Sequence, residues 1–424
     1  MIDIKGIIEN RDEVEKGLLK RIDESDLHLD EIVDLYEHKL DLLKEFESKR
    51  AQQNSFNNKM ASIEKGSEKF KNLLAKLKEM SSEVKHVEQK LNEVEEKLVS
   101  LVEVLPNIPD EDVPSGEKEN NEVVKEVGEK PSFDFQIRNH VELGEELGLF
   151  DFERAAKLSG NNFSMHTGMG ARLEWALLNY FVNEHISDGY EMILPPHIVG
   201  RDSGYTAGQL PKFEGDVYWL EGKDQFLIPT SETSLTNLFR DEIVEEEELP
   251  KKFFAYTPCY RREAGSYRAN EKGLIRVHQF NKVEMYQFTT KEGSEKAFDE
   301  LVNKAERLVQ GLGLHYRVTK LAAGDCSAAA AKTYDVEVWI PSIGQYYEVS
   351  SISNVRDYQA RRGEMRYRPK GGNKTEYMCT LNASGLATSR LMVALVETYQ
   401  QEDGSILIPE VLRKYIGVDK IENS

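Results

Sequence analysis

The sequence predicts an α+β protein in which an antiparallel β-sheet domain flanked by helices is preceded by a long antiparallel helical hairpin. A heptad pattern runs unbroken from Phe70 to Leu101. Beyond it, short strand-like runs and helices mix without the regular alternation that a doubly wound parallel sheet requires. The absence of GxGxxG and GxxxxGK[ST] agrees with the second point.

The hairpin comes first along the chain. Phe70, Leu77, Val84, Leu91 and Leu98 hold one register, and Leu73, Met80, Val87, Val94 and Leu101 the other, which is the alternation of three and four that marks a coiled-coil seam. Upstream, Leu29, Val33, Tyr36, Leu40 and Leu43 give a shorter seam that turns polar through Arg50, Gln53 and Asn57, and Gly66 separates the two helices. Two helices of about 35 residues, each roughly 50 Å long at 1.5 Å per residue, follow from this. Such a rod buries little but its own seam, so it serves reach more than stability. At its tip Lys59, Lys65, Lys69, Lys71, Lys76 and Lys78 outnumber Glu64, Glu68 and Glu79. That local reversal matters in an acidic protein because screening confines charge effects to roughly 10 Å. Composition alone favours an ordinary solvated coiled coil or a dimerisation rod.

Residues 105–135 are rich in proline, glycine and acidic side chains, as a surface linker would be, which divides the chain into domains 1–110, with its arm over about residues 29–103, and 111–424. After the linker HVELGEELGLFDFERAAK and GARLEWALLNYFVNEHIS read as helices, and YEMILPPHIV as a strand. The 424 residues, 39% hydrophobic and 31% charged, can bury a sizeable core. A net charge of -20 excludes a general nucleic-acid coat while leaving room for one RNA bound at a local patch. Charges from the third residue onward leave no signal peptide or membrane anchor in view, so the cytoplasm is the expected location and no membrane is involved. Cys259, Cys326 and Cys379 form no CxxC pair, and each reads as a small buried thiol.

The chemistry concentrates between Arg261 and Glu284, in RREAGSYRANEKGLIRVHQFNKVE. If the part after Gly273 is extended, Arg276, Phe280 and Glu284 share a face, and Arg261 lies beside Glu263 on the preceding strand. Guanidiniums suit a polyphosphate, a phenyl ring a flat base, and carboxylates an exocyclic amine or a primary ammonium. Together they describe ATP and an amino acid. For any one of these residues a charged solvent face is the better reading, but five together make it improbable.

This segment resembles motif 2 of a class II aminoacyl-tRNA synthetase, and specifically of seryl-tRNA synthetase of the bacterial type. IPTSE (228–232), YYEVSSISN (346–354) and NASGLATSR (382–390) are similar to further motifs of that family, in its order, and weaker similarity covers essentially the whole chain. The resemblance implies activation of L-serine with ATP to seryl-adenylate and transfer to the 3′ end of tRNA(Ser), with tRNA(Sec) as a further candidate. It assigns the arm to the long variable arm of that tRNA. It also implies a homodimer, built on the strand around Pro196, in which the arm of one subunit serves the site of the other.

Residue by residue, Arg261 matches the arginine bridging the amino-acid carboxylate and α-phosphate, Glu263 the acceptor of the adenine amino group, Phe280 the ring on adenine, and Arg390 the arginine on the γ-phosphate. Arg261 and Arg390 are thus the catalytic pair. Arg262, Arg276, Glu348, Val349, Ser350 and Ser351 complete the implied ATP site, and Glu348 with Ser351 would hold Mg2+. Thr230, Ser231, Glu232 and Glu284 fall near the serine ammonium and Ser384 near its hydroxyl. Such a pocket rejects alanine well, whereas one extra methyl on threonine is worth only about 1–3 kcal/mol, and no segment reads as an editing domain.

Two stretches depart from the family pattern. The motif 2 loop, usually close to GRDTRG, is RANEKG at 268–273, which bears on positioning of the tRNA acceptor end, and GDCSAAAAKTYD at 324–335 has Ser327 and Ala328 where a glycine and an aromatic are common. Two rival classes are a catalytically silent tRNA-binding paralogue and a ligase loading an amino acid onto a carrier protein. Intact Arg261, Glu263, Glu348 and Arg390 disfavour the first, and the long hairpin the second.

Overall fold

A computed structural model describes residues 1–263 and 272–423, so most of the RANEKG loop lies outside the described residues. The chain divides into two compact units, residues 2–106 and, with Met1, residues 107–424.

The first unit contains helices α1 (Leu29–Ala61) and α2 (Glu68–Val104), joined by a turn in which Gly66 takes φ +94° and Ser67 caps α2 by accepting from the Phe70 amide at 3.2 Å. Cross-pairs Lys97–Glu31, Lys39–Glu95 and Lys49–Glu83 run in opposite senses along the two helices, which makes the hairpin antiparallel. The seam of α2 is the predicted one: Leu77, Val84, Val87, Leu91 and Leu98 are buried. That of α1 differs. Leu40 is exposed, whereas Ile32 and Leu42 are buried and Phe46, Gln53, Phe56 and Met60 continue the half-buried stripe towards the tip. The other predicted positions hold, with Leu29 buried and Val33, Tyr36 and Leu43 half-buried, and Leu42 and Leu43 both pack with Val87, Leu91 and Val94 of α2. The tip lysines are all exposed.

The second unit is built on an eight-stranded sheet: β1 (Glu122–Val127), β2 (Glu191–Ile193), β3 (Lys251–Tyr260), β4 (Gln279–Thr289), β5 (Tyr316–Lys320), β6 (Lys332–Ile340), β7 (Gln345–Arg356) and β8 (Cys379–Ala387), in the spatial order β1-β5-β6-β7-β8-β4-β3-β2. Every pairing is antiparallel except that of the edge strand β2 with β3. β1 lies inside the stretch read as a linker. Its Val123 and Val124 are exposed, so it carries no burial alternation for a sequence reading to detect. Helices α3 (Gly168–Ser187), α4 (Ser294–Gly311) and α5 (Thr388–Thr398) cover one face, where Val283, Met285, Val336, Val338 and Ile352 join the main core. With the strand period of two, Phe280, Lys282, Glu284 and Tyr286 stand on the other face. That face is where the polar side chains collect. No described helix is long and apolar enough to cross a membrane.

Candidate active site

The open face of the sheet floors a cavity of 690 Å³ whose walls include Thr230, Glu232, Arg261, Arg276, Glu284, Glu348, Ser351, Ser384 and Arg390. A second lobe of 360 Å³ shares Thr230, Glu232 and Arg261 with it and adds Glu263 and Gln209.

At one end β4 and β8 align Glu284 with Ser384, and β3 aligns Ala255 with Glu284. Lys282 Nζ donates to Thr230 Oγ1 at 2.6 Å and makes an ion pair with Glu284. Glu232 Oε1 accepts from Gln359 Nε2 at 2.8 Å. The amide of Gln359 is itself oriented, because its Oε1 accepts from Tyr286 Oη at 2.8 Å and Thr380 Oγ1 at 2.7 Å. Burial, then the nearby Glu284 charge, raises the Glu232 carboxyl to about 7.

At the other end Arg390, in the first turn of α5, donates to the Glu348 carboxylate and its backbone carbonyl, both at 3.0 Å. Arg276 donates to Glu263 at 2.5 Å. The Arg261 guanidinium lies 5.1 Å from the centroid of the Phe280 ring, a cation–π stack open to a flat third partner. Asp335, level with Ser351 across β6 and β7, keeps Oδ1 buried without a hydrogen-bond partner among the described residues. Burial, then Glu348, raises its pKa well above the usual carboxylate range.

Several expectations need correction. Arg276 precedes β4, which starts at Gln279, and Glu263 follows β3 with φ +50°, so neither sits on a strand; their ion pair, not strand parity, brings them together. Ser231 is fully buried with its hydroxyl 2.6 Å from Thr257 Oγ1, leaving only its backbone for a ligand. Opposite Val336 and Glu337, β7 carries a bulge in which Val349 is the extra residue, so that Val349 enters the helix-covered core and Ser350 donates to the Ser384 carbonyl at 2.5 Å. Glu348 and Ser351 alone of that motif's four line the cavity. Arg262 donates to the Gly215 carbonyl at 3.4 Å, outside the cavity wall. Lys282, Gln359 and Asp335 were not singled out from sequence, although Lys282 shares the parity of Phe280 and Glu284 on β4.

A family model described as the seryl-tRNA synthetase N-terminal domain matches residues 1–109, and one described as the tRNA synthetase class II core domain (G, H, P, S and T) matches residues 218–399. The chain belongs to the seryl-tRNA synthetase family. Family members of similar sequence include serine–tRNA ligase 2 of Clostridium acetobutylicum, 53% identical over 99% of this chain and 100% of the relative, and the serine–tRNA ligase of Caldicellulosiruptor bescii, 48% identical over 100% of both. Among solved seryl-tRNA synthetases, that of Pyrococcus horikoshii, complexed with ATP, superposes with a TM-score of 0.91 at 34% identity over 100% of both chains. The cytoplasmic enzyme of Naegleria fowleri, in complex with AMP, gives 0.87 at 28% identity over 100% of this chain and 99% of that one.

Proposed function

We propose that this chain is a serine–tRNA ligase that joins L-serine to ATP as seryl-adenylate, releases diphosphate, and passes the seryl group to tRNA(Ser). The observation that carries the reading is the convergence, in one cavity, of Arg261 and Arg390 with the carboxylates of Glu232 and Glu284. In the first step a serine carboxylate oxygen attacks the α-phosphorus and the bond to the bridging oxygen of diphosphate breaks. The substrate is already the nucleophile, so the protein's part is alignment and neutralisation of charge. Arg261 holds the serine carboxylate and α-phosphate together, Arg390 takes the γ-phosphate, Arg276 supports the phosphates, and Glu263 accepts from the adenine amino group over Phe280. Glu232, Glu284 and Thr230 receive the ammonium, and Ser384 the hydroxyl.

Among the described residues no group of three or more His, Cys, Asp and Glu stands ready to hold a metal. The hard oxygens of Glu348 and Ser351, beside the unpartnered Asp335 Oδ1, nevertheless fit an ion that keeps most of its waters. Mg2+ held by Glu348 and Ser351 would neutralise phosphate charge when bound, freeing Arg390 from its present carboxylate partner.

The basic tip of the arm grips the variable arm of the tRNA. Exposed Trp175, Ile186, Met192, Leu194 and Ile198, from α3 and the β2 edge, form the apolar face through which two copies make a homodimer, with each arm serving the partner's site. The setting is the cytoplasm, where tRNA is charged.

Serine-dependent exchange of labelled diphosphate into ATP, followed by charging of a tRNA with a long variable arm, tests the reading. Arg390→Ala is expected to lower exchange at least about 100-fold, as loss of a group that stabilises transition-state charge does. No exchange with any amino acid would leave the silent paralogue standing, and exchange without tRNA charging would favour the carrier ligase.

A further inference from the structure

At the amino-acid end of the cavity one charged group has no role in the scheme above. Lys282 is 5% exposed and lines the cavity, between Phe280 and Glu284 on the same face of β4. Its Nζ is committed to Thr230 Oγ1 and to the charge of Glu284, which is 1% exposed. Glu284 Oε2 is the oxygen that meets Lys282 Nζ in that ion pair, and Asn382 Nδ2 reaches Oε1 only at 3.4 Å. The groups facing Glu232 are Glu284, Lys282, Gln359 and, at the rim, Arg261. With Arg261 given to the substrate carboxylate and phosphate, the inner pocket holds two carboxylates and one ammonium.

We propose that Lys282 is the built-in counter-ion of the amino-acid site, a positioning residue that cancels one of the two carboxylates, so that the pocket presents a single negative charge to the ammonium of an α-amino acid. This rests on the ligase reading above. Two uncompensated carboxylates side by side, Glu284 buried and Glu232 half-buried, would take up a proton before they took up serine. With Lys282 in place, Thr230 and Glu284 are held where the incoming ammonium finds them.

The charge count has a pH signature. Glu232 is raised to about 7 by burial and by Glu284, while Lys282, Gln359 and Arg261 pull it down. The carboxyl ionises as pH rises through that value, so serine binds best above it and, near it, expels a proton on binding. Deleting the Lys282 charge removes the largest opposing influence and moves this step to higher pH.

The test is the KM for serine in diphosphate exchange from about pH 6 to 9, with the KM for ATP measured in parallel, for the wild-type chain, K282M and K282R. The wild type is expected to show its KM for serine falling as pH rises through about 7. K282M should raise the KM for serine about tenfold at neutral pH, leave that for ATP within about twofold, and displace the step upward by about one pH unit; K282R should keep the step in place. A K282M step at the wild-type pH, or KM values for serine and ATP rising together, would overturn the proposal. If K282M does not fold, calorimetry of serine binding to the wild type at neutral pH, in two buffers of different ionisation heat, decides it: proton release is expected, and none would overturn it. A K282M result that fails while wild-type exchange is normal sinks the counter-ion alone, whereas absent wild-type exchange sinks the ligase reading and the counter-ion with it.

Discussion

Gly385 stands in the middle of NASGLATSR, yet its requirement is steric: a β-carbon there would lie 2.2 Å from Nε2 of His185. The His185 ring is fully buried, with Nε2 3.1 Å from the Gly385 carbonyl and Nδ1 without a partner among the described residues. Burial pushes its pKa down to about 4, so the ring is neutral and Nε2 carries the donated proton. Gly385→Ala should therefore destabilise the protein by about 1–3 kcal/mol, the usual cost of forcing atoms into a packed site. Thermal unfolding checks this, and an unchanged Tm would refute it. Residue identity told part of the story in advance. Phe280 and Glu284 were legible because strand parity pairs an aromatic with an acid, but Lys282 between them reads as a solvent-facing lysine until the depth of the cavity is known. Val349 and Ser350 lie within a matched motif, and only the bulge at Val349 in their own strand shows why their side chains turn away from the site.

Among elements, the arm was the most legible and β1 the least. The heptads of α2 give its seam directly, whereas on α1 the predicted stripe holds except at Leu40, and Ile32 and Leu42 are buried beside it. β1 is held by its ladder to β5 with its valines exposed, so no hydrophobic pattern announces it. The division of labour between arm and sheet is testable. Reversing Lys65, Lys69 and Lys71 to Glu should raise the KM for tRNA about tenfold or more and flatten its salt dependence, since phosphate contacts and counterion release are lost. Serine-dependent exchange, which needs no tRNA, should be unchanged; a parallel fall in both would show that the arm tip is not a tRNA-binding element.

For the whole molecule, five exposed apolar side chains, Trp175, Ile186, Met192, Leu194 and Ile198, fall on α3 and on or just after β2, with Leu194 at 74% and Trp175 at 57% exposure. Large apolar side chains grouped on one face are seldom left to water. Trp175→Glu with Leu194→Glu is expected to convert a dimer to monomers in sedimentation and to abolish tRNA charging, while the unit keeps its unfolding transition. A dimer surviving both charges would put the interface elsewhere. Motif order made the fold class and the family legible across the chain, and the strand around Pro196 was read as the dimer element, but the share of α3 through Trp175 and Ile186 was not, because single exposed hydrophobics carry no message until the fold collects them.

Ala255, Glu284 and Ser384 lie level across three neighbouring strands, spaced by the ladder at about 4.8 Å. Stations on such a grid cannot drift by fractions of an ångström; they can only be refitted with a different side chain. Inheritance can thus alter substrate preference here by exchange of letters at fixed addresses, whereas gaining or losing one letter within β4 would turn Phe280, Lys282 and Glu284 inward and bring Val283 and Met285 out in their stead.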